Sequence, residues 1–437
     1  MKQRHPTSAL DLRHAAPTGP RRLWAQADSA RMTDLASHRL HVSAPEPPGR
    51  SRRELIRLIQ DSGLRGRGGG GFPTGKKLEA VANGRSRPVV VVNGTEGEPA
   101  SRKDATLLQL QPHLVLDGAA QAAAAVGASE VLVCIERTNT PAIEAVARAL
   151  DERRSAEPDG VATRLLCTPP RYVAGEESAL VHWINGGDAK PTRVPPRPFE
   201  RGVSGRPTLV NNAETLAHVA HIVEYGAPWF RTMGTESEPG TALLTLSGAV
   251  TRNEVLEAPV GIGLVELLAE HTTFDRAGAV LVGGYFGSWL SAETAARARL
   301  CDESLRPLGG GLGCGAVVVL PGHACGVVES ARVLTWMAAE TAGQCGPCVH
   351  GLHAIAGRFS QVSRGAGRRD DLSQLHRWAA QVEGRGACRF PDGAVRFLRS
   401  ALDVFGADLQ RHAKGRPCAG VEHAPVLPIP RIWQTWR

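Results

Sequence analysis

Lysine is scarce in this 437-residue chain: six of the 51 basic residues are Lys and the other 45 are Arg. A net charge of +8 could point to nucleic acid or an anionic surface. Here, with high Ala and Gly, the arginine skew reads as the codon bias of a GC-rich genome, and clusters such as "GRSRRELIR" (49–57) alternate with acidic or apolar residues. Nucleic-acid binding is therefore not expected. Long apolar runs are also missing. Spanning a bilayer needs roughly 18 uninterrupted apolar residues, and the longest candidate, "HLVLDGAAQAAAAVGASEVLVCIE", is broken by Asp117 and two glycines. A soluble chain without direct membrane insertion is expected. No secretory signal precedes the nine cysteines, so a disulfide framework is not expected either. "GPRRLW" (19–24) looks like a twin-arginine signal, but no apolar segment follows it. The expected compartment is the reducing cytoplasm, where cysteines mean metal, redox work or core packing.

The hydrophobic pattern divides the chain. Residues 1–50 scatter Pro, His and Arg without periodicity and are expected to form an irregular extension. Residues 51–235 alternate helix and strand patterns: strands at 89–92, 130–136 and 163–169, the first apolar on both faces, with helices at about 112–127 and 140–153. This alternation predicts a doubly wound α/β domain with a buried parallel sheet. Residues 240–325 turn to short strands and a short helix, expected as a β-grasp module similar to SLBB domains. From 326 to 420, segments at roughly 326–341, 349–362, 370–383 and 392–413 repeat apolar residues at three- and four-residue spacing. A four-helix antiparallel bundle is expected there.

The stretch "ETAGQCGPC" (340–348) raises the question of what its Cys345 and Cys348 do. A thioredoxin CGPC follows a strand and opens a helix, whereas here an amphipathic helix precedes it. In an up-down-up-down bundle the loop holding these two thiols lies at the same end as the loop holding Cys388, so three thiols from distant sequence converge. A metal centre explains such convergence; inert packing is the alternative. A second constellation is the loop "GLRGRGGGGFPTGKK" (63–77), with G-x-G-x-x-G at Gly66, Gly68 and Gly71. Its glycines can bring backbone N–H groups close to phosphate or carbonyl oxygens, with Arg65, Arg67, Lys76 and Lys77 as cations. Three further loops carry polar groups. They are "VNGTEGEPASRKD" (92–104) after the first buried strand, "YVAGEESAL" (172–180), and "GRPTLVNNAETLAHV" (205–219). Ligands of open α/β sheets bind at the carboxyl ends of strands. Helix capping is the competing use of Glu176 and Glu177.

Taken together and in this order, "GLRGRGGGGFPTG", "GEES", "PTLVNNAETL" and "CGPC" before a distant Cys resemble the F-type subunit of respiratory complex I (NADH-quinone oxidoreductase), which binds NADH and FMN. Related subunits occur in NAD-linked hydrogenases and formate dehydrogenases. The likeness runs from about Arg52 to about Lys414. It implies an NADH dehydrogenase flavoprotein, passing electrons from NADH through FMN to an iron–sulfur cluster and on to a protein acceptor. Carried over, the flavin and NAD(H) site would comprise Gly66, Arg67, Gly68, Gly69, Gly71, Phe72, Lys77, Asn93, Glu96, Glu98, Tyr172, Gly175, Glu176, Glu177, Asn211, Asn212 and Thr215. Glu96 and Glu177 would shape the nicotinamide pocket as the catalytic carboxylates, and Cys345, Cys348 and Cys388 would hold the cluster.

The sequence departs from the family at several places. The family's C-x-x-C-x-x-C has lost its first thiolate to Ala342. A 4Fe-4S cluster with a non-cysteine ligand, a 3Fe-4S cluster, or zinc on three Cys plus His350 could follow, and an iron–sulfur cluster is the expectation. Cys325 and Cys418 are expected near the opposite end of the bundle. The family's "NADE" loop reads Asn93-Gly94-Thr95-Glu96, which is similar to a membrane-associated ferredoxin–NAD reductase subunit. Rings flanking adenine in the family give way to Ala80 and Arg197; Phe72 persists and Phe199 could compensate. The implied partner is a ferredoxin-type or iron–sulfur protein, or a membrane oxidoreductase complex with this chain peripheral at the inner face. Two alternatives differ in class: a degenerate paralogue relaying electrons without NADH, and a non-enzymatic SLBB scaffold.

Overall fold

The computed structural model describes residues 21–24, 32–42, 50–156, 160–272, 277–368 and 370–437. Four strands, β1 (Val89–Gly94), β2 (Glu130–Glu136), β3 (Ala162–Thr168) and β4 (Thr208–Asn212), form a parallel sheet in the order β3-β2-β1-β4. Unbroken valines in β1 suit a strand covered on both sides. Val90 and Val92 point into a core built with the helices Arg52–Ser62, Pro112–Val126 and Ala213–Phe230. Val89 and Val91 face the other way, under Leu180 and Val181 of the helix Glu177–Ile184. The sheet thus has the doubly wound layering expected of it.

Local signals set the helix ends. Ser51 and Glu54 make a reciprocal capping box, and Gly63 ends the helix Arg52–Ser62 in the left-handed region at φ 71°. The small residues of "DGAAQAAAAV" allow close helix contact: a Cβ on Gly118 would lie 1.7 Å from the Leu216 carbonyl oxygen of the neighbouring helix.

After β3 the chain crosses to the far side of β1 to form β4. The direction of winding therefore reverses between β1 and β4, and the crevice at their carboxyl ends is where such sheets bind ligands.

β5 (Thr241–Gly248), β6 (Glu254–Pro259), β7 (Ala277–Val282), β8 (Ser288–Ser291) and β9 (Ala316–Pro321) form the second sheet, in the order β6-β5-β9-β7-β8. β5 and β9 run parallel and the other pairs antiparallel. The helices Gly326–Ala339, His353–Ser363, Asp371–Val382, Phe390–Val404 and Gly406–Ala413 follow, with a π-helical turn over Pro347–Leu352. The single helix expected over 392–413 is interrupted at Phe405. Its ring packs where a Cβ on Gly326 would come within 2.2 Å of it, so the break lets the fourth segment close over the start of the first.

Two segments are more ordered than their composition suggests. Within the expected irregular extension, Leu23 and Trp24 are buried in the α/β core, and Arg22 donates to the Phe230 and Trp229 carbonyls. A helix spans Leu35–His41, where His38 pairs with buried Asp117 at 2.6 Å. Gly19 and Pro20 of "GPRRLW" lie outside the described residues. At the other end, the tail beyond residue 420 runs back along the bundle to the α/β domain. Leu427 N–H donates to Glu329 at 2.9 Å, Ala189 N–H donates to the Trp436 carbonyl at 2.8 Å, and the Arg171 guanidinium lies 3.8 Å from the centre of the Trp436 ring. Among the described residues, no helix is long and apolar enough to cross a membrane.

Candidate functional site

The register β1–β4 places Asn93 beside Asn212 and Val92 beside Asn211 at the mouth of the crevice. Asn93 ties two loops together, its amide donating to the Gly175 carbonyl at 2.8 Å while its oxygen accepts from Thr95 N–H at 3.2 Å. Close approach explains the glycines: a Cβ on Gly97 would lie 2.6 Å from the Tyr172 carbonyl oxygen, and one on Gly175 would lie 2.9 Å from that of Thr95. The Asn211 amide nitrogen is buried and unpaired among the described residues, a state that native polar groups avoid unless a ligand or water completes it.

The glycine-rich loop closes on itself through Gly66 N–H to the Phe72 carbonyl at 2.9 Å. Gly68, Gly69 and Gly70 are exposed, a Cβ on Gly68 would meet the Asn212 side chain at 3.1 Å, and Phe72 stands out at 57% exposed. Gly69 and Gly71 take φ of 97° and 59°, conformations cheap only for glycine. Lys77 donates to the Val210 carbonyl at 2.7 Å and pairs with Glu177 at 3.3 Å, linking this loop's helix to the "GEES" loop. Arg67 behaves differently. Its backbone N–H donates to Thr215 at 2.9 Å, and its buried guanidinium donates to the Thr241 and Pro239 carbonyls. Arg67 and Thr215 therefore fasten the loop to the domain; the guanidinium is not a free cation of the crevice.

Glu96, expected as a catalytic carboxylate, is also spoken for. It accepts from the Ser101 hydroxyl at 2.6 Å and from the N–H groups of Asp104 and Ala105 at 3.2 and 3.0 Å. It caps the helix Lys103–Leu110, whereas Glu177, partly exposed, pairs with Lys77 across the loops. Glu176 caps its own helix through Ser178 and Ala179 N–H. Beneath Asn212 lies a buried ion cluster that the local sequence pattern does not mark. Lys103 Nζ is 2.8 Å from Glu214 and 2.9 Å from Asp104, and Asp104 accepts from the Asn212 amide at 2.7 Å. Burial pushes the Glu214 carboxyl up, but Lys103, with His218 and Arg67, outweighs it and holds the group at about 2.

Glu98 joins the crevice to the bundle. It accepts from the Tyr172 hydroxyl at 2.9 Å, Tyr285 N–H at 2.9 Å and Ala100 N–H at 3.2 Å, and burial pushes its carboxyl up to about 7. The Tyr172 ring meets Phe286, Trp336 and Phe390 edge-on, and its N–H donates to Glu340 at 3.1 Å. Because the native Glu98 holds its proton to higher pH than the unfolded chain does, its contribution is complete in acid. That contribution falls as pH rises from about 4.5 to about 7. Thermal midpoints of wild type and Glu98→Gln, measured at pH 5 and pH 8, are expected to show the smaller alkaline loss in the variant. Equal losses would contradict this role.

Beyond the far end of the helix Gly326–Ala339, Cys345 and Cys388 pack half-buried against the bundle core that contains the buried Cys348. Burial raises the Cys348 thiol, and the nearby Cys345 and Cys388 raise it further; Cys388 in turn feels the Glu176 carboxylate. Phe390, two residues after Cys388, meets the Tyr172 ring edge-on, so this end of the bundle lies against the loop that begins at Tyr172. Ala342 packs half-buried beside them, and His350 is exposed. Phe199 packs against the α/β core, and Arg197 is exposed, so the compensating ring expected of Phe199 is engaged elsewhere. Among the described residues, one group of three metal-capable side chains has its ligand atoms within 4.8 Å of one another: Cys325, His412 and Cys418, at the opposite end of the bundle. Cys325 and Cys418 were expected there from the helix pattern; His412 was not, and nothing in its local sequence marks it.

Comparisons with known proteins agree with this layout. The family described as "Nuo51 FMN-binding domain" matches residues 59–221, and the one described as "NADH-ubiquinone oxidoreductase-F iron-sulfur binding region" matches residues 329–412. The second F-type subunit of NADH-quinone oxidoreductase in Rhizobium meliloti (strain 1021) is 34% identical over 379 residues, covering 84% of this chain and 90% of the relative. The F-type subunit of NADH-quinone oxidoreductase in Streptomyces coelicolor is 32% identical over 384 residues, covering 84% of each. The crystal structure of an NAD+-reducing [NiFe]-hydrogenase in the H2-reduced state matches with a TM-score of 0.77 at 29% identity, over 89% of this chain and 67% of that one.

Proposed function

Since the chain belongs to the family of F-type NADH-quinone oxidoreductase subunits, we propose that it oxidises NADH at an FMN held in the β1–β4 crevice. The electrons pass to an iron–sulfur centre on Cys345, Cys348 and Cys388 and leave for a protein acceptor. The observation that carries this reading is the meeting of two half-sites: a glycine-lined crevice with the unpaired Asn211 amide, and a thiol-bearing bundle end whose Phe390, two residues after Cys388, meets the Tyr172 ring of the crevice. Bound FMN would supply the step that takes a hydride's two electrons together and releases them singly to a one-electron centre.

The chain's own residues do the rest. The exposed N–H groups of Gly68–Gly70 offer donors to the cofactor's anionic groups, and the Asn211 amide and the Asn93–Gly175 link hold its polar edge. Lys77 and Glu177, paired across the loops, orient the nicotinamide side, with Phe72 as the exposed ring for stacking. Glu96, Glu176 and Arg67 position these loops rather than touch the reacting atoms. The unit boundaries fitting these roles are 51–235 for FMN and NAD(H), 240–325 for the β-grasp module and 326–420 for the cluster. The acceptor is a ferredoxin-type or iron–sulfur component of a larger complex, through which the chain would sit at the inner face of a membrane.

Ala80 and Arg197, standing where the family has rings, favour the second reading of a relay that no longer takes NADH. An anaerobic titration of FMN-loaded protein with NADH separates the two. Loss of the oxidised-flavin absorption band at stoichiometric NADH is expected. Bleaching by dithionite but by neither NADH nor NADPH would leave only the relay.

A further inference from the structure

Cys325, His412 and Cys418 lie at the amino-terminal end of the helix Gly326–Ala339. The CGPC thiols follow its other end, about 20 Å away at 1.5 Å per residue. The group is therefore separate from the proposed cluster, and its two cysteines fall outside the residues matched to the iron–sulfur region. We propose that Cys325, Cys418 and His412 bind one zinc ion that fastens the C-terminal tail to the bundle.

Spacing and tautomer both suit a small tetrahedral metal. Zn–S near 2.3 Å and Zn–N near 2.0–2.1 Å imply an S-to-N edge of about 3.5 Å, and Cys325 Sγ lies 3.5 Å from His412 Nε2. All three ligand atoms lie within 4.8 Å of one another, tighter than the thiols around a multi-iron cluster. His412 Nδ1 is 2.8 Å from the Ser363 carbonyl. A carbonyl only accepts, so Nδ1 carries the proton and Nε2 keeps its lone pair for a metal, the orientation that outer contacts give to ligating histidines. Nε2 now accepts a long bond, 3.3 Å, from Cys418 N–H. Cys325 caps the helix, its sulfur accepting from Val328 N–H at 3.4 Å, which fixes the sulfur at the start of the helix facing His412. Two thiolates and an imidazole suit zinc; the two thiol protons leave to solvent on binding, and a water completes the fourth position.

The place of the site gives it a purpose. The turn Ala419–Glu422 crosses so closely over the start of the helix that a Cβ on Gly420 would lie 2.6 Å from the His323 carbonyl oxygen and 2.7 Å from Cys325 N. Beyond it the tail reaches Arg171, the neighbour of Tyr172, where Trp436 stacks. Zinc at one end and the Arg171–Trp436 stack at the other would hold the tail across the bundle.

The test is metal analysis of the full chain, purified anaerobically and dialysed against EDTA, with zinc and iron counted per chain. One zinc per chain is expected. Cys418→Ser is expected to drop zinc to background while iron stays, and Cys348→Ser is expected to drop iron while zinc stays. X-ray absorption at the zinc edge is expected to show two sulfurs. Two results on wild type, needing no variant, would overturn the proposal. One is zinc at background even after anaerobic zinc addition and dialysis; the other is a Cys325–Cys418 disulfide in the peptide masses of the native protein. Zinc that leaves with Cys348→Ser and stays with Cys418→Ser would place it at the CGPC end and overturn it equally.

Discussion

Exchanging Lys103 for methionine is expected to cost the fold about 3–5 kcal/mol, the usual penalty for stranding buried charge by removing its partner. Methionine nearly fills the same volume, so the loss is electrostatic. The Lys103 side chain is 2% exposed and sits 2.8 Å from Glu214 and 2.9 Å from Asp104. Without it, Glu214 keeps only the more distant Arg67, at 3.9 Å, as a full cation. The damage spreads to the crevice because Asp104 holds the Asn212 amide, and towards the second sheet because Glu214 accepts from Leu243 N–H of β5 at 2.8 Å. In wild type the Glu214 carboxyl is held at about 2, below its ordinary 4.5. Its contribution to stability is thus present above about 4.5 and lost as pH falls towards 2. With Lys103 gone, burial drives that carboxyl upward, so the variant's deficit should be smaller at pH 4.5 than at pH 8 and shrink further as pH falls towards 2. Unfolding midpoints across that range, with FMN affinity measured beside them, check both effects. A variant as stable as wild type at pH 8, binding FMN equally well, would mean the cluster is a bystander.

What the sequence made legible was whatever depends on neighbours along the chain. Four consecutive valines announce a strand buried on both faces, and β1 is one; the loop glycines announce close backbone approach, and Gly97 and Gly175 show why it is needed. Side-chain direction was less legible. Glu96 and Glu98 are two residues apart in one loop, yet one caps the next helix while the other reaches Tyr172 and Tyr285. The choice is made by how the chain turns after β1, and both glutamates read alike in the sequence. Arg67 looked like a loop cation, but carbonyls near β5 claim its guanidinium. Long-range pairings were invisible. His412 meets Cys325 across 87 positions, and Trp436 meets Arg171 only because the tail doubles back. The break at Phe405 had a local signal in Gly406, which the run of apolar spacing over 392–413 masked, and the Phe405 ring packs against Gly326.

Cys348→Ser is expected to abolish iron binding at the CGPC end and to slow NADH-driven reduction of a one-electron protein acceptor by about 100-fold or more. Even changes outside the ligand set cost metal sites 10- to 100-fold. NADH should still bleach the flavin. The split follows from the layout: the crevice groups Asn211, Lys77 and Glu177 stand on the α/β domain, whereas Cys348 is buried at the bundle end. This chain should be unusually sensitive, because Ala342 already occupies a position where the family carries a thiolate, so serine reduces three sulfur ligands to two. Serine is close to cysteine in size, but Cys348 is itself buried in the apolar bundle core with Phe390, Phe397 and Leu398, so the serine hydroxyl is expected to cost about 1–3 kcal/mol. The unfolding midpoint should therefore fall modestly, and retained flavin bleaching by NADH separates lost ligation from lost structure. Iron per chain, flavin bleaching by NADH and acceptor reduction, measured on one preparation, make the check. Retained iron with an undiminished acceptor rate would remove Cys348 from the electron path. Loss of NADH bleaching together with iron would show instead that the crevice and the thiol end form one site, coupled through the Tyr172–Phe390 and Tyr172–Glu340 contacts.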